Sequence, residues 1–459
     1  MKIRRGISQK IFSCCCVYIF ICSFYIVGVD AEPIVVGYYP AWNRYEYPVN
    51  LIATNNLTHV CHAFAWPEID GSISTYASLN YPDLVKKLHE DDKKILISLG
   101  GWGNSYGFSQ MANDPVARHF FIQELIDHYI NAGYDGIDID WEHPSSVTDR
   151  NNLNLLIYEM RQEFNSIKPS LLITMAVSAG SWLGQWYDYT FLKTYVDWFG
   201  CMTYDFHGEW SGHTGHNSPL FSPGNDQCGS VDTACDYLIK TRGLPKDKVL
   251  IGIPFYGKEF NANRLYAPFT GSVTSYNYAY IKGLIGNGWT RYWDDVSKVP
   301  FLLNNSMTKL MTFDDTVSVR LKCEFVLENN LHGVIIWALG QDLLTFTQPL
   351  LETVGNSFEN YIAVGTCDYE NSSFEINLSN YPNPFNSSTN ITFFIPYGQK
   401  IILEIFDCNG RNVGTLIDSY YDQGYHEFRF DSTQLSTGVY FVKLVHSNRI
   451  EVNKLIHLK

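Results

Sequence analysis

Three acidic residues at alternate positions, Asp138, Asp140 and Glu142, are the residues of this sequence best suited to chemistry. Alternate side chains of a β-strand point to the same face, so the three carboxyl groups are expected to converge there. The residues between them are apolar and face the other side, as on a strand packed between two layers. Converging acidic groups are costly unless a site uses their repulsion. A divalent-metal site and a solvated acidic strand end are the alternatives.

The composition describes an acidic, aromatic-rich globular chain. Its 459 residues exceed one ordinary domain, which predicts a large domain and a smaller one. A formal net charge of −14 argues against a nucleic acid as partner. The 31 Tyr and 11 Trp residues favour a neutral carbohydrate ligand, because sugar faces stack on aromatic rings.

Residues 1–31 are predicted to be a signal peptide. Basic residues precede an apolar run from Ile11 to Val29, and small residues follow at a candidate cleavage position. Because the apolar run is long, an uncleaved membrane anchor is the alternative.

The eleven cysteines predict no metal site. Four lie in the signal segment, and the others show no C-x-x-C spacing. Cys61 and Cys201 fall in apolar runs and are expected to be core residues. Cys228 and Cys235 are near enough in sequence to form a disulfide within one loop.

Eight strand-like runs alternate with segments of helical periodicity, such as Asp83–His89, Val116–Ala132 and Asn152–Phe164. The runs are Ile34–Tyr38, Leu57–Phe64, Lys94–Leu99, Tyr134–Glu142, Leu171–Val177, Val196–Tyr204, Val249–Phe255 and Gly333–Leu339. This alternation predicts an α/β fold with a parallel sheet, and eight units predict a (β/α)8 TIM barrel. The active site of such a barrel lies at the C-terminal ends of the strands, where the acidic triplet falls.

Aromatic residues stand at or just after most of the predicted strand ends. They are Tyr38, Phe64, Trp102, Tyr204, Tyr256 and Trp337. Any one of them alone would be interpreted as packing. Six around one rim predict a groove for a polysaccharide.

Residues 33–356 resemble the family 18 glycoside hydrolases, the chitinase family. The D-x-x-D-x-D-x-E signature of that family is present from Asp135 to Glu142. Four supporting motifs follow in register on the predicted strands: SLGGW at 98–102, MTYDFHG at 202–208, GIPFYG at 252–257 and VIIWALGQD at 334–342.

Residues 258–313 resemble the small α+β insertion that the family carries between barrel strands seven and eight. One departure is Lys258, where many members have Arg. An ammonium lacks the bidentate fork of a guanidinium, so Lys258 is not expected to make the substrate contact that an Arg at this position would make.

The resemblance implies substrate-assisted, retaining cleavage of a 2-acetamido sugar. Glu142 would protonate the leaving oxygen, and the acetamido carbonyl would act as the nucleophile. Asp140 would orient the acetamide and share a proton with Asp138, Tyr204 would donate its hydroxyl to the acetamido oxygen, and Trp337 would lie under the sugar. The other implied pocket residues are Tyr38, Phe64, Gly101, Trp102, Met202, Asp205 and Tyr256. No cofactor is expected, and no metal, because no His joins the carboxyls at ligand spacing.

Four residues invite simpler interpretations. Asp135 is expected to stabilise the turn before the strand rather than touch substrate. His207 and His213 are expected to be solvated loop residues. Met202 fits barrel filling equally well.

Three functions remain open from the sequence. The first is a secreted, monomeric chitinase that cleaves β-1,4 linkages between N-acetylglucosamine units. The second is an endo-β-N-acetylglucosaminidase acting on N-linked glycans, and the insertion favours chitin over this substrate. The third is a chitin-binding lectin, against which the complete set of acidic residues argues.

The C-terminal segment predicts a second, smaller domain after a linker at 357–375. Five short strand-like runs occur at Ile391–Ile395, Ile401–Phe406, His426–Phe430, Val439–Val445 and Lys454–Leu458, separated by turn signals. Their even spacing predicts an all-β, immunoglobulin-like sandwich at 376–459.

The motifs YPNPFN at 381–386, IFDCNGRNV at 405–413 and LSTGVYFVKL at 435–444 resemble a type IX secretion sorting domain. This resemblance implies a partnership with that secretion machinery and a secreted or cell-surface location. A carbohydrate-binding module is the alternative.

Overall fold

The computed structural model describes residues 32–365 except 225, and residues 378–458 except 396–398, 409, 422–423, 433–434 and 447–448. The predicted signal peptide and most of the predicted linker lie outside the described residues. Within the described part of the chain, no helix is both long and apolar enough to span a bilayer.

Eight parallel strands form a closed barrel. They are Ile34–Pro40, His59–Pro67, Lys94–Gly100, Gly136–Asp140, Leu172–Ser178, Trp198–Met202, Val249–Pro254 and Gly333–Trp337. Each strand pairs in parallel with the next, and the eighth pairs with the first to close the barrel. The short strand Ile73–Thr75 pairs antiparallel with the second barrel strand. The predicted (β/α)8 barrel is confirmed, and each of the eight apolar runs supplies one strand.

Helices connect the barrel strands. They are Pro82–Glu90, Phe108–Asn113, Pro115–Leu125, Val147–Ile167, Ser181–Gly184, Tyr189–Leu192, Val231–Asp236, Thr316–Glu328 and Pro349–Gly365. π-helical turns at Ile126–Ile130 and Tyr237–Thr241 extend two of them. The side chains of Asp114, Ser146 and Asp315 accept hydrogen bonds from backbone amides in the first turns of their helices, which fixes where those helices begin.

Two apolar layers flank the barrel strands. Val36, Leu96 and Leu250 belong to the cluster inside the barrel. Ile137 and Ile139 belong to the larger cluster between the barrel and its helices. The fourth strand therefore directs its apolar residues outward and its acidic residues inward, as the alternation predicts.

A second, antiparallel sheet lies between barrel strands seven and eight in the chain. Its strands are Tyr256–Asn261, Thr270–Asn277, Trp289–Asp294, Val299–Asn304 and Leu310–Thr312, with the helix Tyr278–Leu284 among them. The α+β insertion expected at 258–313 has this form.

The C-terminal residues form two antiparallel sheets. One contains Ser379–Tyr381, Ser388–Ile395 and Gly424–Asp431, and the other contains Gln399–Asp407, Asn412–Tyr421, Gly438–His446 and Arg449–His457. Ile391 and Phe393 of the first sheet share an apolar core with Leu403 and Val442 of the second, as in a sandwich.

Two details of the C-terminal region differ from the sequence-based prediction. Strand Asn412–Tyr421 was not predicted, because most of its side chains are polar or exposed and show little alternation. The helix that begins at Pro349 continues to Gly365, so a linker cannot start at 357. No proline interrupts that helix after its first residue.

Candidate active site

Asp138 lies inside the barrel and is held by three hydroxyl groups. Its Oδ2 accepts hydrogen bonds from Tyr38 Oη and Ser98 Oγ, both at 2.8 Å, and its Oδ1 accepts one from Thr174 Oγ1 at 2.7 Å. Burial raises the pKa of Asp138, whereas the three hydroxyl donors act to lower it. This carboxyl group is therefore fixed in orientation by its neighbours.

Asp140 lies next along the same face and is almost completely buried. Its Oδ1 has no hydrogen-bond partner among the described residues. Burial, followed by the charges of Glu142 and Asp138, raises the pKa of Asp140 well above its usual value. The described contacts include no hydrogen bond between Asp138 and Asp140, because the oxygens of Asp138 are directed to the hydroxyls. Asp140 thus offers a free acceptor or, when protonated, a donor.

Glu142 completes the triplet just after the fourth strand ends. Burial, followed by the negative charge of Asp205, raises the pKa of Glu142 to about 7. Its backbone N–H donates to Ser105 Oγ at 3.0 Å, and its Oε2 lies 3.4 Å from His143 Nε2. Burial lowers the pKa of His143 to about 4, so this imidazole is neutral at pH 7. A carboxyl group with such a pKa can hold a proton near neutrality and release it to a bound molecule.

Tyr204 and Asp205 follow the sixth barrel strand. Burial, then the nearby charges of Asp140 and Glu142, raise the pKa of Tyr204 well above its usual value, so its hydroxyl remains a donor. Asp205 Oδ1 accepts a hydrogen bond of 2.6 Å from Tyr256 Oη and lies 2.9 Å from Lys258 Nζ. Lys258 is buried, and its ammonium also lies over the Trp210 ring. Lys258, where many family members have Arg, therefore positions Asp205.

An aromatic cluster lies at the C-terminal ends of the first, second and eighth strands. Trp337 stacks on Phe64 at 5.6 Å with an interplanar angle of 17°, and its ring centroid is 5.7 Å from that of Tyr38. Trp42 joins the cluster through both Phe64 and Trp337. Gly101 adopts a φ of +78°, and a Cβ there would lie 2.5 Å from the Phe64 ring. Only glycine fits that position without strain.

The six predicted aromatics do not all form an exposed rim. Tyr38, Phe64 and Tyr256 are buried and form walls and hydrogen bonds, whereas Trp102 is 83% exposed. Other exposed tryptophans follow the first, fifth and sixth strands: Trp42, Trp182 and Trp210. Because these loops all follow C-terminal strand ends, the exposed aromatics are on the same face of the barrel as the carboxyl groups.

A cavity of about 290 Å³ opens beside Glu142. It is lined by Gly103, Ser105, Tyr106, Ser109, Trp141, His143, Ser145 and Asp149 as well as Glu142. Its walls come from the segments that follow the third and fourth strands, including the starts of the helices Phe108–Asn113 and Val147–Ile167, so space for a ligand adjoins Glu142.

Sequence reasoning missed Ser98, Thr174 and Trp42 as site residues. The barrel register pairs Ser98 with Asp138 and Asp138 with Thr174, so the same row of three strands carries both hydroxyls and the carboxyl. A polar residue at that register position of each neighbouring strand was the available signal. Trp42 lies past its strand end, where no register applies.

The other residues singled out in the sequence have clear places. Asp135 accepts a hydrogen bond from Ile95 N and lies 3.0 Å from His89, before the strand, as expected of a turn residue. Met202 packs against the cluster inside the barrel.

Cys61 and Cys201 are buried, as expected of core residues. Cys228 and Cys235 are both free thiols, so they do not form the disulfide that the sequence allowed. His207 is completely buried, contrary to the expectation of a solvated side chain.

Comparison with known proteins identifies the class. Residues 34–342 match the profile of Glycosyl hydrolases family 18, and residues 379–458 match that of the Secretion system C-terminal sorting domain. The first match covers well over half of the chain. The chain belongs to glycosyl hydrolase family 18, and both family resemblances are confirmed.

Two curated relatives illustrate the similarity. The chain is 33% identical over 322 residues to the "Probable endochitinase" of Caenorhabditis elegans, covering 62% of this chain and 51% of the relative. It is 27% identical over 445 residues to "Chitinase ChiA" of Flavobacterium johnsoniae, covering 72% and 28%. The chain thus spans about half, or less, of the length of these relatives.

Solved structures share the fold. The Group IV chitinase of Ostrinia furnacalis, in complex with allosamidin, matches with a TM-score of 0.67 at 29% identity, covering 73% of this chain and 100% of that one. A family 18 N-acetylglucosaminidase from Paenibacillus barengoltzii matches with a TM-score of 0.65 at 28% identity, covering 71% and 100%.

Proposed function

We propose that this protein is a secreted chitinase that hydrolyses β-1,4 linkages between N-acetylglucosamine units by substrate-assisted catalysis. The observation that carries the proposal is that the three carboxyl groups at the fourth strand have three different environments. Glu142 has a pKa near 7, Asp140 has an unpartnered oxygen, and Asp138 is engaged by three hydroxyls. Glu142 is thus available as the acid, while the strongly raised pKa of Asp140 disfavours the ionised form that a carboxylate nucleophile would need.

The reaction would proceed as follows. Glu142 donates its proton to the glycosidic oxygen as the bond from that oxygen to the anomeric carbon breaks. The acetamido carbonyl oxygen of the same sugar bonds to the anomeric carbon and forms an oxazolinium ion. Asp140 orients the acetamide, and Tyr204 donates a hydrogen bond to its oxygen. A water molecule then opens the ring, Glu142 takes its proton, and the configuration is retained.

Ser98, Thr174 and Tyr38 would act through Asp138. The three hydroxyl donors fix Asp138 in place, and its charge favours the protonated form of the neighbouring Asp140. Trp337, stacked on Phe64, would provide the apolar surface under the sugar that is cleaved.

The preference for chitin is supported by the exposed aromatics around the site. Trp42, Trp102, Trp182 and Trp210 spread over loops after four different strands, which suits a chain of several sugars. Both curated relatives named above are described as chitinases. The second candidate, an endo-β-N-acetylglucosaminidase acting on N-linked glycans, draws its support from the similarity to the family 18 N-acetylglucosaminidase of Paenibacillus barengoltzii.

Product analysis tests the assignment. Purified protein is incubated in parallel with colloidal chitin, chitohexaose, and a glycoprotein carrying N-linked glycans, and the products are separated by mass. Soluble chitooligosaccharides are expected from chitin. Intact chitin together with released protein glycans would refute the proposal in favour of the second candidate. Retention on chitin without products from any of the three would instead indicate a lectin.

The pH dependence of kcat/KM should fall on the alkaline side with an apparent pKa of about 7. Glu142 must carry its proton to act as the acid, and its pKa is about 7, so activity is retained below that value and decreases as the proton is lost. Asp205→Asn removes a negative charge that raises this pKa, so the alkaline limb should move to lower pH. A limb that stays in place, or moves to higher pH, would contradict this electrostatic coupling. Asp70→Asn, at the exposed surface, is the control.

Trp102→Ala should weaken the binding of long substrates more than the binding of short ones. An aromatic contact of this kind contributes about 1 kcal/mol, which corresponds to about a 5- to 10-fold higher KM for chitohexaose. Cleavage of a chitobiose derivative at saturation should be unchanged, since the Trp102 side chain is 83% exposed and is not one of the groups assigned to proton transfer or to the acetamide. Tyr420→Ala, an exposed aromatic of the C-terminal sandwich, serves as control. Equal losses on long and short substrates would contradict a role in chain binding.

The C-terminal sandwich is proposed to direct export through a type IX secretion system. Its support is the match of residues 379–458 to the sorting-domain profile. Mass spectrometry of the protein secreted by its native cells should find a C-terminus before residue 379. Deletion of 379–458 should abolish release while the cell-retained barrel stays active. Soluble protein found outside the cell with an intact C-terminus would contradict the proposal that the sandwich directs export and is then removed.

A further inference from the structure

Four potential metal ligands converge in the long loop that follows the sixth barrel strand. They are His207, His213, Asp226 and Cys228, and one ligand atom from each lies within 4.8 Å of those of the others. The sequence spacing is H-x5-H-x12-D-x-C, which differs from the short C-x-x-C and H-x3-5-H spacings typical of zinc sites. This cluster is separate from the acidic triplet of the fourth strand.

The Nδ1–H groups of the two histidines are held by backbone carbonyls. His207 Nδ1 lies 2.9 Å from His216 O, and His213 Nδ1 lies 3.0 Å from Thr214 O. A carbonyl oxygen only accepts, so each Nδ1 must carry the hydrogen. In the neutral rings Nε2 is then left as an acceptor, the arrangement that orients histidine ligands in metal sites.

The centre of the cluster contains two buried acceptors facing each other. His207 Nε2 lies 3.4 Å from Asp226 Oδ2, and neither atom has a hydrogen-bond partner among the described residues. Both side chains are almost completely inaccessible to solvent. Two opposed lone pairs without a proton between them repel, and buried polar atoms without partners are costly. A cation bound between them would remove both penalties.

The packing holds the cluster in this form. A Cβ on Gly215 would lie 2.3 Å from the His207 ring, so glycine allows the ring to occupy its place. The Cys228 backbone N–H donates to Asp226 Oδ1 at 3.0 Å, which leaves Oδ2 directed to the cluster. The Tyr266 ring covers both His207 and His213.

We propose that His207, His213, Asp226 and Cys228 form a tetrahedral zinc site that braces this loop. Two imidazole nitrogens, a carboxylate oxygen and a thiolate suit Zn²⁺, and four protein ligands leave no open position, which indicates a structural site rather than a catalytic one. On binding, Cys228 loses its thiol proton to solvent. The proposal departs from the sequence-based expectation of no metal.

The site would support the catalytic pocket through its first ligand. His207 is only two residues after Asp205, and the backbone N–H groups of Asp205 and Phe206 are bound by the side chain and the backbone of Asn217. A metal bound by His207 and His213 and also by Asp226 and Cys228 would cross-link the first part of the loop to its later part. Loss of the metal should therefore raise KM or lower kcat without removing Glu142 from its place.

The test uses the full-length protein and zinc itself. Protein purified from zinc-supplemented medium, then dialysed, is analysed for metal by mass spectrometry. About one zinc per chain is expected for the wild type and for Cys235→Ser, a buried free cysteine outside the cluster. His213→Ala and Cys228→Ser should retain less than about a tenth of that amount. Less than a tenth of an equivalent in the wild type, or equal zinc in wild type and Cys228→Ser, would identify an adventitious ion only and overturn the proposal.

Cobalt provides a readout that does not depend on activity or on the yield of the variants. Co²⁺ added to metal-free wild type should give the visible bands of tetrahedral cobalt and a near-ultraviolet thiolate charge-transfer band. Cys228→Ser should lose the charge-transfer band, whereas Cys235→Ser should keep it. Octahedral spectra in the wild type, or an unchanged thiolate band in Cys228→Ser, would refute the ligand set. Circular dichroism verifies that each variant is folded.

Discussion

Replacement of Glu142 by Gln is expected to lower kcat for chitohexaose cleavage by about 10³-fold, because a positioned general acid contributes roughly 10²–10⁴-fold. The amide has the same shape but no proton of suitable acidity to donate. KM should change little, since the fold around the fourth strand is held by Asp138 and its three hydroxyl partners rather than by Glu142. Initial rates measured by reducing-end release give both constants.

Two further measurements make the Glu142 result specific. Glu90→Gln changes a solvent-exposed carboxyl that lies near Lys86 on the first helix, and should leave the rate unchanged. The residual activity of Glu142→Gln should lose the alkaline limb near pH 7, since the group responsible for that limb is gone. Full activity in Glu142→Gln, or an unaltered pH profile, would remove Glu142 from the role of acid.

Replacement of Tyr204 by Phe is expected to lower kcat by about 10²-fold, with a smaller change in KM. Loss of one donor aimed at developing charge has an effect of about this size. The Tyr204 hydroxyl remains protonated over the working pH range, because burial and the neighbouring Asp140 and Glu142 raise its pKa well above the usual value. It can therefore donate to the acetamido oxygen throughout the reaction.

A comparison of substrates separates this role from simple packing. Tyr129→Phe, in the helical layer outside the barrel, removes a buried hydroxyl far from the pocket and should leave kcat unchanged. The thiazoline analogue of the oxazolinium ion should inhibit the wild type strongly and Tyr204→Phe much less. Equal inhibition of the two proteins would contradict a hydrogen bond from Tyr204 to the acetamide.

Both effects depend on pKa values that the barrel interior creates. In water Glu142 would be ionised at pH 7 and could not act as an acid. Burial, together with the charge of Asp205, shifts it to about 7. Lys258 and Tyr256 both contact Asp205, so the acidity of Glu142 depends on residues of the seventh strand region as well as its own strand.

The sequence by itself determined the barrel, the strand that carries the carboxyls, and the side to which they point. These features follow from local periodicity: eight apolar runs supply eight strands, and two-residue spacing places Asp138 and Asp140 inside while Ile137 and Ile139 pack outside. The family motifs added the candidate roles of Tyr204 and Trp337. The missed strand Asn412–Tyr421 shows the limit, since an exposed polar strand has little periodic signal.

Only the tertiary structure decided which groups hold these residues and what their environment does to them. Ser98 and Thr174 reach Asp138 from separate strands, 40 and 36 residues away in the chain. Likewise, His207 and His213 meet Asp226 and Cys228 only because the loop folds back on itself. Local patterns report neighbours within a few residues, whereas burial, charge coupling and ligand geometry arise from contacts between distant segments. The acidic triplet was visible in the sequence, but its division into a held carboxyl, a free acceptor and an acid was not.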